Sequence, residues 1–424
     1  VSSATNSAVQ SALAGVSTNV SAIFADDQYY YITSSSYPSY NIFDGTDVSE
    51  TMLDQKLLRI VRKTPTTTTE IYKTPKRDVG ILLNGVPIYG YKDSESVRFG
   101  ALQEIKVSSR GRNYVRPPFV LIDDVPNKAR AFLTGNVVNN IVVDTTDTFL
   151  STPKVEITSG RGAKATAIVT KGEVTSIVID DPGKYYSSPP QVVIRDRLGR
   201  GRFAEFVATV DTDGQITGFE KVAGGTLYTQ KNIEVDIIAV GDGATATPFL
   251  REWNLNRFEK LKSNLDTQFG HYFENYNNVL EYGYAQVANP KALRVELNDN
   301  LNNADTEPTV KTHSPIIGFA YDGNPIYGPF GHQDPLDGGS AIVRMTSSYS
   351  LNEDRSGGPT LRQYPLGSFV DDYKYTHKSG SLDENNGRFC ITPDFPEGTY
   401  AYFLTINSDQ VPQFPYVLGD KYYS

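Results

Sequence analysis

Cysteine is nearly absent from this chain: Cys390 is the only one in 424 residues. One thiol can form neither an intramolecular disulfide nor a CxxC metal site, because both need paired cysteines. Histidine is almost as scarce, with four in all, which leaves little imidazole for acid–base or metal chemistry near neutral pH. Clustered positive charge is missing too. Lys plus Arg number 40 against 49 Asp plus Glu, a net charge of -9, and no long Lys/Arg block occurs, so the footprint of phosphate-backbone binding is lacking and no nucleic-acid partner is expected. No apolar run reaches the roughly 18 residues of a membrane span, and mean hydropathy is -0.37; no membrane insertion is expected. The sequence opens at Val1 with no Met, basic n-region or apolar h-region, and the expectation is a processed chain or part of a longer one.

Turn formers and aromatics are abundant instead: Gly 35, Pro 24, Tyr 27 and Phe 20. Aromatics favour strands, and Gly and Pro favour the turns between them. At roughly 100 to 200 residues per domain, the length allows about two to four domains. The expected class is mainly β, with tandem small β-modules and a short helical segment.

Five stretches differ in texture. Residues 1–25 are Ser/Thr/Asn/Ala-rich, with Val9, Leu13, Val16, Val20 and Ile23 in an a/d rhythm. This stripe is too short to be stable alone, and it reads as an attachment segment, either one end of a coiled coil in a homo-oligomer or a linker. Residues 26–100 are rich in aromatics and turns, and Asn84-Gly85 marks a tight hairpin. Residues 101–250 repeat: Ile105, Ile141 and Ile177 are each 36 apart, as are Tyr114, Leu150 and Tyr186, and Pro117, Pro153 and Pro189. A looser fourth copy starts at Gln215. Paired glycines (Gly160 and Gly162, Gly199 and Gly201, Gly241 and Gly243) precede alternating strands closed by Lys171-Gly172 or Asp213-Gly214, which argues hairpins with one buried face. Stacked repeats of this kind suit a spacer or fibre. In residues 251–290, Trp253, Leu255, Phe258, Leu261 and Leu265 predict a helix, with a second stopped by Pro290 and a break near Gly270. Residues 291–424 read as a chain of hairpins.

Two segments carry a specific resemblance. His313 to Pro329, HSPIIGFAYDGNPIYGP, and Val79 to Tyr91, VGILLNGVPIYGY, share an Asx-Gly-x-Pro-Ile-Tyr-Gly core, with Pro87 and Pro325 238 residues apart. Together with YYYITSSSYPSY from Tyr29 and FPYVLG from Phe414, they resemble the YHYH domain family. The resemblance implies one such domain made of residues 26–100 and 291–424, with the repeats inserted between its halves. Where the family has Tyr-His-Tyr-His, this chain reads Tyr400-Ala401-Tyr402-Phe403, so a role resting on those imidazoles is not expected. The tyrosines then read as strand residues with one buried face. From about Gly160 to Ser424 the chain is also similar to modules of large virion structural proteins of contractile-tailed phages of marine cyanobacteria. That similarity implies a virion component of the tail, baseplate or fibre.

Candidate chemistry is thin. DTDG, Asp211 to Gly214, lacks the further ligands of a calcium loop and reads as a hairpin turn. Asp123-Asp124, Asp180-Asp181 and Asp371-Asp372 could suggest glycosidase carboxylates, but neighbours on a strand point to opposite faces, so solvated turns are expected. GRGRF and GRGAK lack the following helix of a phosphate loop. His313, His332 and His377 have no ligand spacing, and Cys390 in RFCITP reads as a buried small hydrophobe. Tyr327, Tyr400, Tyr402 and Tyr416 read as core, whereas Tyr185 and Tyr228 are taken as surface aromatics suited to adhesion.

The functional expectation is a non-enzymatic virion protein acting in assembly and host attachment. It would carry no cofactor, catalytic residue or metal, and would associate with itself, as in a homotrimer, and with other virion proteins. A host-surface glycan or protein is a further candidate partner. The alternatives are a host-glycan-binding or depolymerising tailspike and a metal-handling secreted YHYH protein.

Overall fold

The computed structural model describes residues 19–40, 56–65, 72–274 and 282–423. Strand makes up 47% of it and helix 4%, which is the mainly β class expected. The chain divides into two compact units, one of residues 1–97, 253–356 and 360–424, the other of 98–252 and 357–359.

The first unit is built around an eight-stranded sheet. In spatial order its strands are Gly270–Glu274, Tyr282–Gln286, Pro87–Tyr89, Asp78–Leu82, Ile316–Ala320, Pro325–Tyr327, Thr399–Phe403 and Gly387–Cys390. The two Asx-Gly-x-Pro-Ile-Tyr hairpins form its centre. Their turns place Gly85 and Gly323 at φ +88 and +91, a conformation in which glycine has no steric penalty. Asp78–Leu82 runs antiparallel to Ile316–Ala320 with Leu82 opposite Gly318, Ile81 opposite Phe319 and Gly80 opposite Ala320. Those pairs map onto one another under the 238-residue offset, so the centre of the sheet is an internal two-fold.

Outward from that centre the duplication continues. Tyr282–Gln286 adds in parallel to Pro87–Tyr89 through Gln286 and Ile88, as Thr399–Phe403 adds in parallel to Pro325–Tyr327 through Tyr402 and Ile326. The outermost strands pair antiparallel with Gly270 opposite Gln286 and Gly387 opposite Tyr402. Tyr400-Ala401-Tyr402-Phe403 therefore has a structural twin in Tyr284-Ala285-Gln286-Val287. Both sheet faces are covered. Val79, Leu82, Ile88, Ile326, Tyr400 and Tyr402 belong to one apolar cluster, and Ile81, Leu83, Phe319, Tyr327, Ala401 and Phe403 to another. Alternation along each strand puts successive side chains into opposite cores. The expectation of one buried face for the Tyr400 strand is thus corrected: Tyr400 to Phe403 are all at most 4% exposed.

Two further expectations fail in this unit. Residues 251–290 are not two helices. The strand Asp242–Asn256 runs into them, a helix covers only Arg257–Leu261, and Gly270–Glu274 and Tyr282–Gln286 form a hairpin before a second short helix, Lys291–Glu296. The apolar stripe fits a strand end and one helical turn as well as it fits a helix; Asn256 ends the strand by accepting the Phe258 N–H on its side chain, a helix N-cap. Val20 and Ile23, the last two positions of the N-terminal stripe, lie in the strand Val20–Ala25, paired with Tyr29–Ser34, so a helical heptad does not extend over them. Val9, Leu13 and Val16 lie outside the described residues.

The second unit contains two four-stranded sheets of like order. One runs Val155–Thr158, Phe119–Ile122, Ala129–Thr134, Val137–Val143; the other runs Ile233–Ile238, Gln191–Asp196, Arg202–Val210, Ile216–Thr226. The chain passes through three Gly-x-x-Tyr segments with a shared backbone, one ahead of Phe119–Ile122, one ahead of Gln191–Asp196 and one at the end of Ile216–Thr226, ahead of Ile233–Ile238. Gly111, Gly183 and Gly225 have φ from +61 to +66, as do Asn113, Tyr185 and Leu227 two residues later. The residue that follows is a buried tyrosine, Tyr114, Tyr186 or Tyr228. Each ring lies over a glycine of the small-residue turns, Gly241, Gly160 and Gly201 respectively, where an added Cβ would fall against the ring. Leu150, in register with two of these tyrosines, departs from the pattern and is 77% exposed.

Two of the hairpins also hold one another. The Tyr186 N–H donates to the Gly214 carbonyl at 3.0 Å, and the Tyr228 N–H to the Gly172 carbonyl at 3.0 Å. Gly214 closes the Arg202–Val210/Ile216–Thr226 hairpin that precedes Tyr228. Gly172 closes the Lys164–Thr170/Glu173–Asp181 hairpin that precedes Tyr186. Each turn therefore satisfies the tyrosine amide belonging to the other hairpin, leaving no buried donor unpaired there.

Candidate functional site

The strand carrying Tyr400-Ala401-Tyr402-Phe403 lies deep in the first unit. Phe403 stacks on Tyr327 with ring centroids 5.6 Å apart and 24° between planes. His313 meets Tyr327 edge-on at 5.1 Å and lies 5.2 Å from the His332 ring. The Tyr327 hydroxyl reaches Thr392 at 2.9 Å and donates to Asp394 at 3.0 Å. Arg388 lies over the Phe403 ring at 5.5 Å and donates to the His332 carbonyl at 2.5 Å. A guanidinium on an aromatic face is an attraction that survives desolvation, and it gives this buried cation a partner that a carboxylate would otherwise supply.

Burial pushes the His313 imidazole down to about 4, so it is neutral at pH 7. Its Nδ1 lies 2.8 Å from the Ser314 carbonyl, which makes Nδ1 the protonated nitrogen. Its Nε2 is buried with no hydrogen-bond partner among the described residues. Burial also raises the Cys390 thiol, so Cys390 is a thiol packed in the core, as its sequence context suggests. His377 does not join His313 and His332; it lies exposed beside Tyr375. Among the described residues no group of three or more His, Cys, Asp or Glu is placed to hold a metal ion. No helix among them is long and apolar enough to cross a membrane.

Two matching cradles flank this centre. The Tyr400 hydroxyl donates to both oxygens of Asp383 at 2.9 and 2.8 Å, and Asp383 also accepts the N–H groups of Asn385 and Gly387. The Tyr284 hydroxyl donates to Asp266 at 2.8 Å, and Asp266 accepts from Gln268 and Gly270. Glycine is required at Gly387 and Gly270 because the tyrosine rings occupy the space a Cβ would take. These carboxylates are bound up in holding strands together.

The sequence-proposed sites separate as follows. Tyr228 is 4% exposed, so its assignment as a surface adhesive residue is corrected: its ring covers Gly201. Tyr185 is half-buried, against Phe119 at 5.6 Å and beneath Arg161 and Lys184. Of the acid pairs, Asp372 is no solvated turn residue. It is 2% exposed, receives Arg355 through two nitrogens at 2.6 Å each, and accepts the N–H groups of Gly367 and Phe369. Asp211 caps its own turn by accepting from Asp213 and Gln215.

A groove of about 610 Å³ on the first unit was not legible in the sequence. One wall is aromatic: Tyr373 and Phe414 stack with centroids 3.9 Å apart and 8° between planes, and Tyr349 meets Phe414 edge-on at 5.2 Å. Arg344, Asn407, Gln413, Glu259 and Lys262 also line it. These residues come from four separate stretches of chain, none with a motif.

The family model described as YHYH protein matches residues 215–415. A YHYH domain is thus present in this chain, over a span that includes the His313 and Tyr400 segments and stops short of the Val79–Tyr91 hairpin with which they share a sheet. No curated protein matches the chain, and no solved structure does.

Proposed function

We propose that this chain is a non-catalytic structural component of a phage virion, in the tail, baseplate or a fibre, acting in assembly and host attachment. The reciprocal bonding of the two hairpins, Tyr186 to Gly214 and Tyr228 to Gly172, is the observation that carries the reading. Repeats locked pairwise at buried tyrosines resist shear between modules, which is what a spacer in a particle must do. Filling the family's imidazole positions with Ala401 and Phe403, both 0% exposed, also favours a packing role over chemistry at that strand. Self-association, as in a homotrimer, would run through the segment carrying Val9, Leu13 and Val16, ahead of the strand that takes up Val20 and Ile23.

Two measurements test this. Antibody raised to the chain should label particles, in a fixed number of copies, in preparations from a lysate that contains it; consistent absence from purified particles sinks the reading. Light scattering on the chain with and without residues 1–18, a truncation that spares the Val20–Ala25 strand, tests the association: an oligomer that dissociates on truncation supports it, and a monomer in both cases removes it.

A further inference from the structure

We propose that the groove at Tyr349, Tyr373 and Phe414 is a binding site for a neutral saccharide. The volume, about 610 Å³, falls in the range of roughly 300 to 1,000 Å³ typical of ligand sites. Tyr349 and Tyr373 are half-buried, so each keeps part of its ring at the surface, and the Tyr373–Phe414 stack holds that surface rigid. A pyranose ring has a C–H face that packs on such a flat, amphipathic surface and a rim of hydroxyls that needs short polar partners.

The charged groups at the groove are already matched. Lys262 pairs with Glu259 at 3.2 Å, and Arg344 binds both oxygens of Glu307 at 2.8 and 2.7 Å. Both cations that line the groove are thus already paired with a carboxylate, which weakens their pull on an anionic sugar or an acidic peptide. What remains beside the aromatic wall is neutral hydrogen-bonding chemistry: the Ser350 hydroxyl and the amides of Asn407 and Gln413. The Asn407 oxygen accepts the N–H groups of Asp409 and Val411, which fixes the orientation of its amide before any ligand arrives. A preset amide beside a rigid ring lowers the ordering cost of binding.

The inference draws on the attachment part of the proposed function only for its biological use; the binding itself stands or falls alone. The probes are maltohexaose, cellohexaose, laminarihexaose and mannohexaose, with hexagalacturonate as the anionic control, titrated into the full chain by calorimetry and by saturation-transfer NMR. At least one neutral hexasaccharide should bind with a dissociation constant of about 1 mM or tighter. Tyr373→Ala should weaken that binding at least about tenfold and Gln413→Ala about threefold to tenfold. Because Tyr373→Ala removes a stacked ring, its thermal midpoint is measured alongside. If that variant unfolds, the Gln413→Ala variant, whose parent side chain is exposed, decides the matter by losing or keeping affinity. No binding of any neutral probe at about 5 mM, five times the weakest affinity expected, overturns the proposal. So do binding confined to hexagalacturonate and affinity unchanged in the variants. A chain that binds sugar but never accompanies particles removes the virion reading alone, and a particle-borne chain blind to neutral sugars removes this one alone.

Discussion

The N–H of Leu83 donates to the carbonyl of Ile317 at 2.9 Å, and its counterpart across the sheet centre, the N–H of Tyr321, donates to Val79 at 3.2 Å. The same reciprocity holds for the turns, where Leu82 donates to Val86 at 2.8 Å and Ala320 to Asn324 at 3.0 Å. Two hairpins 238 residues apart thus form one symmetric unit, and symmetry makes a quantitative demand on substitutions. A Cβ at Gly80 would sit 2.6 Å from the Phe319 oxygen, and one at Gly318 would sit 2.5 Å from the Ile81 oxygen. Backbone cannot retreat as a flexible side chain can, so Gly80→Ala and Gly318→Ala should each cost on the order of 2 to 3 kcal/mol, in the range of overpacked sites. Denaturation midpoints check this. Costs differing by more than about 2 kcal/mol, the scale of a full overpacking penalty, would mean that the two halves are not mechanically equivalent.

The Gly201–Tyr228 contact predicts a non-additive pair. Gly201→Ala drives a methyl into the Tyr228 ring and should destabilise by about 1 to 3 kcal/mol. Tyr228→Ala empties a buried site and should cost about 3 to 5 kcal/mol. In the double variant the methyl has room, so the combined cost should fall below the sum by at least about 1 kcal/mol. Strict additivity in urea titrations would show that ring and glycine are not packed together.

Much of this was readable from local signals. Asn84-Gly85 and Asp213-Gly214 announce their hairpins because turn conformation is set by the residues in it. The Gly-x-x-Tyr cadence is visible because positive φ at Gly111, Gly183 and Gly225 selects glycine. What escaped depends on distant chain. The twin of the Tyr400 strand at Tyr284 shares with it only Tyr-Ala and an Asp and Gly upstream (Asp266 and Gly270, against Asp383 and Gly387), too little to stand out before the sheet pairs them. Burial of Tyr228 was missed because a loop tyrosine gives no sign of the glycine it will cover. The groove at Tyr373 joins residues from four stretches, and only tertiary packing brings them together.

A buried ion pair anchors the loop that leads to the second hairpin. Arg294 and Asp299, both side chains 0% exposed, bond at 2.6 Å. Arg294 also donates to Asn289 at 2.9 Å and Gln410 at 2.8 Å, and Asp299 accepts from Ser314 at 2.6 Å. Removing one charge leaves the other stranded in a low-dielectric site. Arg294→Met should therefore cost about 3 to 5 kcal/mol, and Arg294→Met with Asp299→Leu markedly less than the two single costs added. A double-variant cost equal to the sum of the two single costs, measured by chemical denaturation, would show that the two side chains act independently, through their hydrogen bonds to Asn289 and Ser314, and not as a charge pair.

His313 gives the chain a built-in acid sensitivity. Its pKa is about 4 in the folded protein against about 6.5 for a free imidazole. Between those values the unfolded chain holds a proton that the folded chain refuses, so stability rises with pH across the window. The contribution is fully present above about pH 6.5 and is lost progressively on acidification toward pH 4, to a limit on the order of 3 kcal/mol. His271, also lowered by burial, adds a slope of the same sign. Asp322 and Asp383, both raised by burial, act oppositely, because they hold protons in the folded state that the unfolded chain releases as pH rises. Comparing the parent with His313→Asn, whose amide can keep the bond to the Ser314 carbonyl, isolates the imidazole. The unfolding free energy of the variant should vary less steeply between pH 4 and 6.5, with the two profiles parallel above that range. Parallel profiles throughout would mean that His313 gains its proton without penalty and that its Nε2 is open to water.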